Sequence, residues 1–397
     1  MAVRANKPAF NIREKLKELT HSVGLKGREL MRAATVQEAR DLISAGRKNM
    51  VINGKFEVDQ RGNTGTVGSG HQYHTDRFIV RNSSSGVISA QTSANASSNA
   101  PGFRNWFQVE CDGTDGAPSG GEYVRIQHRV EGYNCFMDWG LSGGNKDYIT
   151  ASFWVKSNQT GIHCVSIEDG DTLPVHVKEY NIDTADTWQK ISVTFPPPSS
   201  GSFRSRDGET GLTITWCLMS GTDYQTSPDT WVSTYEMATS NMVNFMDNSN
   251  NYFYITGVQL EVGKNATDFE HRPYGEELAL CQRYYYRIYN GTQRNNTRFA
   301  IGSAVSSGDL DFIFDLPVTM RSVPTIDKQA VGNYRTPSGP SGPITSFTNL
   351  DMAHATESVA CVRATKSGAY TTGTSYILSP NGSGADNDRY IGFNAEL

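Results

Sequence analysis

Clustered positive charge is missing from this chain of 397 residues, in which 36 Lys and Arg stand against 41 Asp and Glu for a formal net charge of −5. A nucleic acid backbone or an anionic bilayer is held by Lys and Arg gathered on one face, so no nucleic acid partner is expected. Long apolar runs are missing too: nowhere do about 18 apolar residues follow one another, as a spanning helix requires. Met1 to Phe10 carry Arg4 and Lys7 but no apolar stretch, so neither a leader nor membrane insertion is expected. The six cysteines (Cys111, Cys135, Cys164, Cys217, Cys281 and Cys361) are scattered singly, several inside runs such as Ile162-His163-Cys164-Val165. They read as small core hydrophobes kept reduced in a cytoplasm, and a disulfide framework is not expected. A nucleophile elbow, a phosphate loop, a zinc motif and a dinucleotide fingerprint are all lacking, so nothing supports an enzyme.

What the chain has in quantity is glycine, 38 residues, with abundant Ser, Thr and Asn, while only 19% of residues are charged. That mixture favours strands joined by many turns, and the length allows two or three domains with cores of their own. The expected fold is mainly β, with a short helical anchor over residues 1–46. Ile12, Leu16 and Leu19 fall at i, i+4 and i+7, an apolar stripe on a charged helix. Leu30 and Met31 serve a second piece, and Thr35-Val36-Gln37-Glu38 is a capping box that opens a third, with Ala39, Leu42 and Ile43 as its apolar side and Gly46 at its end. Helices this short are marginal alone in water. Ile12, Leu16, Leu19, Leu30, Leu42 and Ile43 are therefore expected to attach the chain to another copy or to a larger particle.

From Met50 the hydrophobic period changes to two. Residues 50–58 read as a strand interrupted by Gly54, residues 76–80 as another, and further strands are expected at 105–110, 122–130, 148–155, 161–167, 188–195, 212–219 and 252–262. Many short strands at such spacing suggest a jelly-roll β-sandwich over 47–270. A junction follows at 271–286, helix-like from Glu276 to Tyr286, and then a second, C-terminal β-sandwich over 287–397 with strands at 298–305, 310–316, 358–363, 376–378 and 390–397.

Few residues offer chemistry. His71, His74 and Asp76 could converge on a metal, but their spacing matches no established site, and a polar loop before a strand is the plainer reading. Asp112 and Asp115 could hold a structural calcium ion, against the plainer Asx turn; no other cofactor or metal is expected. Glu168-Asp169-Gly170-Asp171 is acidic enough to be weighed for glycan hydrolysis, which needs two carboxylates about 5–10 Å apart, yet it reads more simply as a solvated loop. Aromatic rings bear on recognition, because the apolar face of a sugar stacks on an exposed indole or phenol. Tyr133 and Trp139 flank the loop 134–143 and, with Trp106, are the candidate ligand-binding residues. Trp154, Trp188 and Trp216 lie in alternating apolar runs and are expected in the core, and Tyr284, Tyr285, Tyr286 and Tyr289 are expected to pack between domains or chains.

Three passages resemble bacteriophage particle proteins. The run from Leu25 to Thr35 followed by Ala39 to Gly46 is similar to the short segment that precedes the fibre body in many tail-fibre proteins. Asn53-Gly54-Lys55-Phe56-Glu57-Val58-Asp59-Gln60-Arg61-Gly62 resembles the opening strand of fibre domains. Ile255 to Tyr286, ITGVQLEVGKNATDFEHRPYGEELALCQRYYY, closely resembles a stretch that recurs where a jelly-roll domain hands over to a C-terminal domain in phage fibres. The segment Trp188 to Phe195 looks like a strand of carbohydrate-binding modules. The resemblance implies a virion location after synthesis in the host bacterial cytoplasm and an appendage or tail-fibre role. It further implies homotrimers, phage tail or capsid proteins as partners of the N-terminus, and host surface polysaccharide bound without turnover. The chain departs from long fibres in having no shaft repeats between 47 and 260. A capsid or tail decoration or adaptor protein therefore stays open as the alternative. A polysaccharide depolymerase is the third reading, without the long β-helix such enzymes usually bring.

Overall fold

A computed structural model describes residues 47–397 apart from 69, 71, 95–98, 136, 138–146, 171–173, 199–206, 290–297, 338–343, 345–346 and 382–388. The expected anchor with its six attachment residues, and also Trp139, His71 and Asp171, lie outside the described residues. The chain forms two compact units, the smaller comprising Met1–Asn49 and Thr267–Glu270. In its described part the amides of Lys48 and Asn49 donate to the Glu270 carboxylate at 2.6 and 2.8 Å. The larger unit, Met50–Ala266 with His271–Leu397, carries the strands. Among the described residues no helix is long and apolar enough to cross a membrane.

The strands of the first sandwich are β1 (Gly65–Thr66), β2 (Gln72–Thr75), β3 (Phe78–Asn82), β4 (Val87–Ala94), β5 (Asn105–Gly113), β6 (Tyr123–Glu131), β7 (Ile149–Ser157), β8 (Gly161–Asp169), β9 (Val175–Ile182), β10 (Gln189–Phe195), β11 (Thr210–Ser220), β12 (Trp231–Val232) and β13 (Tyr252–Val262). They pair antiparallel into a six-stranded sheet, β1-β4-β5-β13-β7-β10, and a seven-stranded sheet, β12-β9-β8-β11-β6-β3-β2. Successive strands cross repeatedly from one sheet to the other, which is the jelly-roll arrangement. Side chains alternate along a strand. Phe107, Phe153 and Phe253 of the first sheet therefore meet Ile126, Ile167, Ile214 and Trp216 of the second in one core. Each such side chain is worth roughly 1.5–3 kcal/mol of burial, and Trp216, as expected, is fully enclosed.

Residues 50–58 are no strand. They form a buried turn with Asn53 and Phe56 at φ of 63° and 54°. The Asn53 side chain holds it by donating to the Val58 and Asp76 carbonyls at 2.7 and 3.0 Å and accepting from the Val58 amide at 3.0 Å. Gly54 is required, because a Cβ there would stand 2.1 Å from the Val258 carbonyl oxygen. An apolar run with a central glycine reads equally as a strand, and only the neighbours of Asn53 decide for the turn. The segment after β11 lies over the outer face of the seven-stranded sheet, where Met237 and Ala238 form a small apolar cluster with Tyr123, Cys164, Val177 and Cys217.

The helix α1 (Tyr274–Gln282) is shorter than the expected 276–286. It stops because Tyr284 and its followers are claimed by tertiary contacts. Beyond it run β14 (Tyr285–Tyr289), β15 (Ala300–Ala304), β16 (Asp309–Asp315), β17 (Thr325–Lys328), β18 (Tyr334–Arg335), β19 (Asn349–Ala355), β20 (Val359–Thr365), β21 (Ser375–Pro380) and β22 (Tyr390–Asn394). They make a three-stranded sheet, β14-β22-β17, and a six-stranded one, β18-β21-β15-β16-β20-β19. Phe312, Phe314, Val362, Leu378, Ile391 and Phe393 fill the core between them.

Arg283, Tyr284 and Tyr285 tie the two sandwiches together, while Tyr286 packs within the second. Arg283 and the Tyr284 hydroxyl both donate to the buried Glu131 carboxylate at the end of β6, Arg283 Nε at 2.9 Å and Tyr284 at 2.5 Å. The Arg77 guanidinium lies 3.6 Å over the Tyr284 ring and pairs with Glu396. Arg61 lies 3.7 Å over the Tyr285 ring and 3.1 Å from the same Glu396 carboxylate. Tyr285 donates to Asp327 at 2.8 Å, and Tyr286 stacks on Phe393. Burial outweighs the neighbouring Arg61 at Asp76 and pushes its carboxyl up to about 6.

Candidate functional site

The outward face of the first six-stranded sheet follows from alternation. Phe107 and Val109 on β5, Phe153 and Val155 on β7, and Phe253 and Ile255 on β13 point to the core, so Trp106, Gln108, Glu110, Trp154, Lys156, Tyr252 and Tyr254 point the other way. Register brings these groups side by side. Tyr254 stands opposite Gln108 on one flank and Lys156 on the other, and Tyr252 opposite Glu110. Gln91 on β4 faces Gln108, Ser93 faces Trp106, and Lys190 on β10 faces Trp154.

The rings form a connected row. Trp188, just before β10, meets Trp106 edge to face at 6.3 Å, Trp106 lies 6.0 Å from Tyr254, and Tyr254 lies 4.5 Å from Tyr252. Such spacings are those of attractive ring pairs. Trp106 is the floor, only 4% exposed, whereas Trp154, Trp188, Tyr252 and Tyr254 are half-buried. A polar chain runs between them: Trp106 Nε1 donates to Gln108 Oε1 at 3.3 Å, and Tyr254 Oη donates to Glu110 Oε1 at 3.1 Å. The Tyr252 hydroxyl donates to Asp186. Burial first, then the carboxylate beside it, pushes Tyr254 up to about 12 and raises Tyr252 as well. Both hydroxyls stay protonated at neutral pH and keep their carboxylates oriented.

This arrangement offers apolar ring faces bordered by carboxamides and a carboxylate, a surface suited to a neutral polyhydroxylated ligand with one apolar side. Of the two expected ligand-binding residues that are described, Trp106 and Tyr133, it contains Trp106. Tyr133 is 62% exposed, but it sits on the turn after β6, where its amide donates to the Asp207 carbonyl, at the end of the other sheet. Trp154 and Trp188 are on the face and not in the core as expected. The apolar neighbours that suggested burial, Phe153 and Val155, are the ones that turn inward, and in a strand that forces Trp154 outward. The alternation was present in the sequence, but it does not say which of two adjacent aromatic residues faces the core.

The remaining expectations are dispersed. His74 is buried between the Ala90 carbonyl and the Gln72 carboxamide, and burial lowers its pKa, while Asp76 turns to Gln60. Asp115 accepts from the Ser85 amide at 3.2 Å while Asp112 is exposed. Glu168 and Asp169 are buried at the end of β8 and are not a solvated loop. Among the described residues no group of three His, Cys, Asp or Glu is placed to hold a metal. A polar cleft of about 500 Å³ opens near Arg61, Tyr73, His74, Asp327 and Asn394, but its Asp327 already accepts from the Tyr285 and Tyr390 hydroxyls at 2.8 and 3.1 Å.

No family model matches the chain, and no curated protein matches it. Among solved structures it is similar to the enzymatically active domain of tailspike protein 4 of bacteriophage CBA120, with 15% identity and a TM-score of 0.29 over 54% of this chain and 21% of that one. It is also similar to a putative sugar binding protein from Bacteroides thetaiotaomicron, with 13% identity and a TM-score of 0.33 over 54% of this chain and 99% of that one. A family 11 carbohydrate-binding module of a Clostridium thermocellum cellulase gives 13% identity and a TM-score of 0.27 over 52% and 100%. Agreement this loose transfers neither a ligand nor a residue to this chain.

Proposed function

We propose that the protein is a glycan-binding appendage of a bacteriophage particle, and that it binds its sugar on the outward face of the first six-stranded sheet without turning it over. The observation that carries the reading is the row Trp188, Trp106, Tyr254 and Tyr252, with Gln91, Gln108 and Glu110 at its edges. Sugar rings present axial C–H groups to aromatic faces, and their hydroxyls need donors and acceptors in fixed positions. Glu110 and Asp186 are each occupied by a tyrosine hydroxyl, an arrangement for orienting side chains and not for proton transfer to a glycosidic oxygen. Three copies on one mount would turn weak single-site binding into avid adsorption by effective concentration, with Ile12, Leu16, Leu19, Leu30, Leu42 and Ile43 as the attachment seam.

Titration of host surface polysaccharide fragments into the full chain, by calorimetry or NMR, tests this. Saturable binding abolished by Trp188→Ala supports it. Binding untouched by that change, or release of reducing sugar in favour of the depolymerase reading, overturns it. A second reading, a decoration or adaptor protein, is favoured by the C-terminal sandwich, where Ile301 and Ile313 are 69% and 54% exposed on neighbouring strands. Under that reading Ile313→Asp releases the protein from particles while polysaccharide binding is never seen.

A further inference from the structure

Strand register sets two of the six cysteines face to face. Cys164 on β8 and Cys217 on β11 are Cα partners in an antiparallel ladder. Their neighbours Val165 and Trp216 belong to the central core, so alternation turns both thiols to the outer side of the seven-stranded sheet. There they share one apolar cluster, covered by Met237 and Ala238. Directly opposed residues of an antiparallel pair have Cα atoms about 4.5–5.5 Å apart, inside the roughly 4.4–6.8 Å that a disulfide spans. In the reduced protein Cys164 Sγ is 3.6 Å from Thr239 Oγ1, and Cys217 donates to the Met219 carbonyl at 3.3 Å. Closing the bond requires rotation about the two Cα–Cβ bonds together with a small approach of the two strands, because opposed Cβ atoms stand about 4.5–5.5 Å apart and a disulfide spans about 3.5–4.5 Å.

We propose that Cys164 and Cys217 are a modification site, a latent cross-strand disulfide that staples β8 to β11 when the protein meets an oxidising small-molecule disulfide of the glutathione type. One protein thiolate attacks a sulfur of the reagent, breaking its S–S bond and releasing one reagent thiol. The second protein thiolate then displaces the other half from the mixed disulfide, forming the protein S–S bond. Two protein thiols are oxidised, one reagent disulfide is reduced to two thiols, and the two protons pass to the released thiols. Burial pushes the Cys164 thiol up to about 11 and also raises Cys217 well above the usual thiol range, so reaction waits on brief opening of the cover. Thr239 and Asn241 hold that cover by donating to Glu179, which is the register partner of Cys164 on β9.

The test is to incubate the full chain with glutathione disulfide at about pH 8.5, alkylate it in denaturant, digest it and read the peptides by mass spectrometry. A peptide pair joined through Cys164 and Cys217 is expected, with Cys111, Cys135, Cys281 and Cys361 alkylated. Thr239→Ala, which loosens the cover, is expected to speed cross-linking several-fold and leave its end point unchanged. Refolding the chain from denaturant in a glutathione redox buffer removes access as a limit. Failure to form the Cys164–Cys217 link there, or its replacement by separate glutathione adducts or other pairings, overturns the proposal.

Discussion

The first sandwich's outward face and the junction between the sandwiches are built from the same side chains, tyrosines beside carboxylates, and do opposite things with them. At the junction the Tyr284 hydroxyl meets Glu131 at 2.5 Å while Arg77 covers the Tyr284 ring at 3.6 Å. Both faces of use, hydroxyl and ring, are consumed. On the sheet face the Tyr254 hydroxyl meets Glu110 at 3.1 Å, but the residue is only half-buried. A tyrosine that has paired its hydroxyl and stays half-buried is positioned for a ligand; one whose hydroxyl and ring are both covered is structural. Residue type does not distinguish the two regions, and burial does.

The largest expected effect is at the junction. Glu131→Ala leaves Arg283 and the Tyr284 hydroxyl without their buried acceptor, and leaving such donors unmet costs about 1–3 kcal/mol. Denaturant unfolding should show that loss, with sugar affinity per folded molecule unchanged; an equal loss of affinity would erase the distinction between the regions. Next is Trp188→Ala on the face, for which calorimetry should record at least about a tenfold weaker sugar complex, about 1.4 kcal/mol, with the melting temperature within a few degrees of the parent.

Acid separates the regions more gently. Burial holds His163 and His176 of the first sandwich down at about 4 from an ordinary 6.5. The unfolded chain takes up those protons first, so stability that is intact above pH 6.5 is lost as the pH falls toward 4. Asp76 at the junction runs the other way: raised to about 6 from 3.8, it contributes fully below 3.8 and loses that contribution as the pH rises through 6. Melting temperature against pH should steepen on the acid side in Asp76→Asn and flatten in His163→Gln; the reverse pair of slopes would refute the assignment. The smallest effect is expected from Tyr254→Phe, which removes only the hydroxyl bond to Glu110. A loss of a few-fold in affinity, about 0.5–1.5 kcal/mol, seen by the same titration would confirm that the ring matters more than its hydroxyl.

Much of the fold was legible along the chain. Strands such as β5, β6, β7, β8 and β13 combine β-branched or aromatic residues with alternation, and each was expected within a few residues of where it lies. The strands β4 and β9 were not expected, because VISAQTSA and VHVKEYNI dilute the apolar residues with Ser, Gln, His and Lys. Packing of Tyr284, Tyr285, Tyr286 and Tyr289 between domains or chains was expected. Tyr284 and Tyr285 meet the first sandwich through Glu131 and Arg61, partners that were not expected. Tyr286 stacks on Phe393 within the second, and the Tyr289 side chain lies outside the described residues.

By itself the sequence determined a mainly β chain with a jelly-roll sandwich, since a two-residue period over many short segments has few other outcomes. It also placed a helix-like break in the two-residue period within 271–286, where α1 lies. Only the tertiary structure decided the rest: that residues 50–58 turn instead of extending, that Trp154 and Trp188 face outward, and that Cys164 stands opposite Cys217. Each of these depends on which strand lies beside which and on which of two faces meets the core. Local pattern carries a period, whereas register and facing are set by partners distant in the chain, as Gly54 is by Val258.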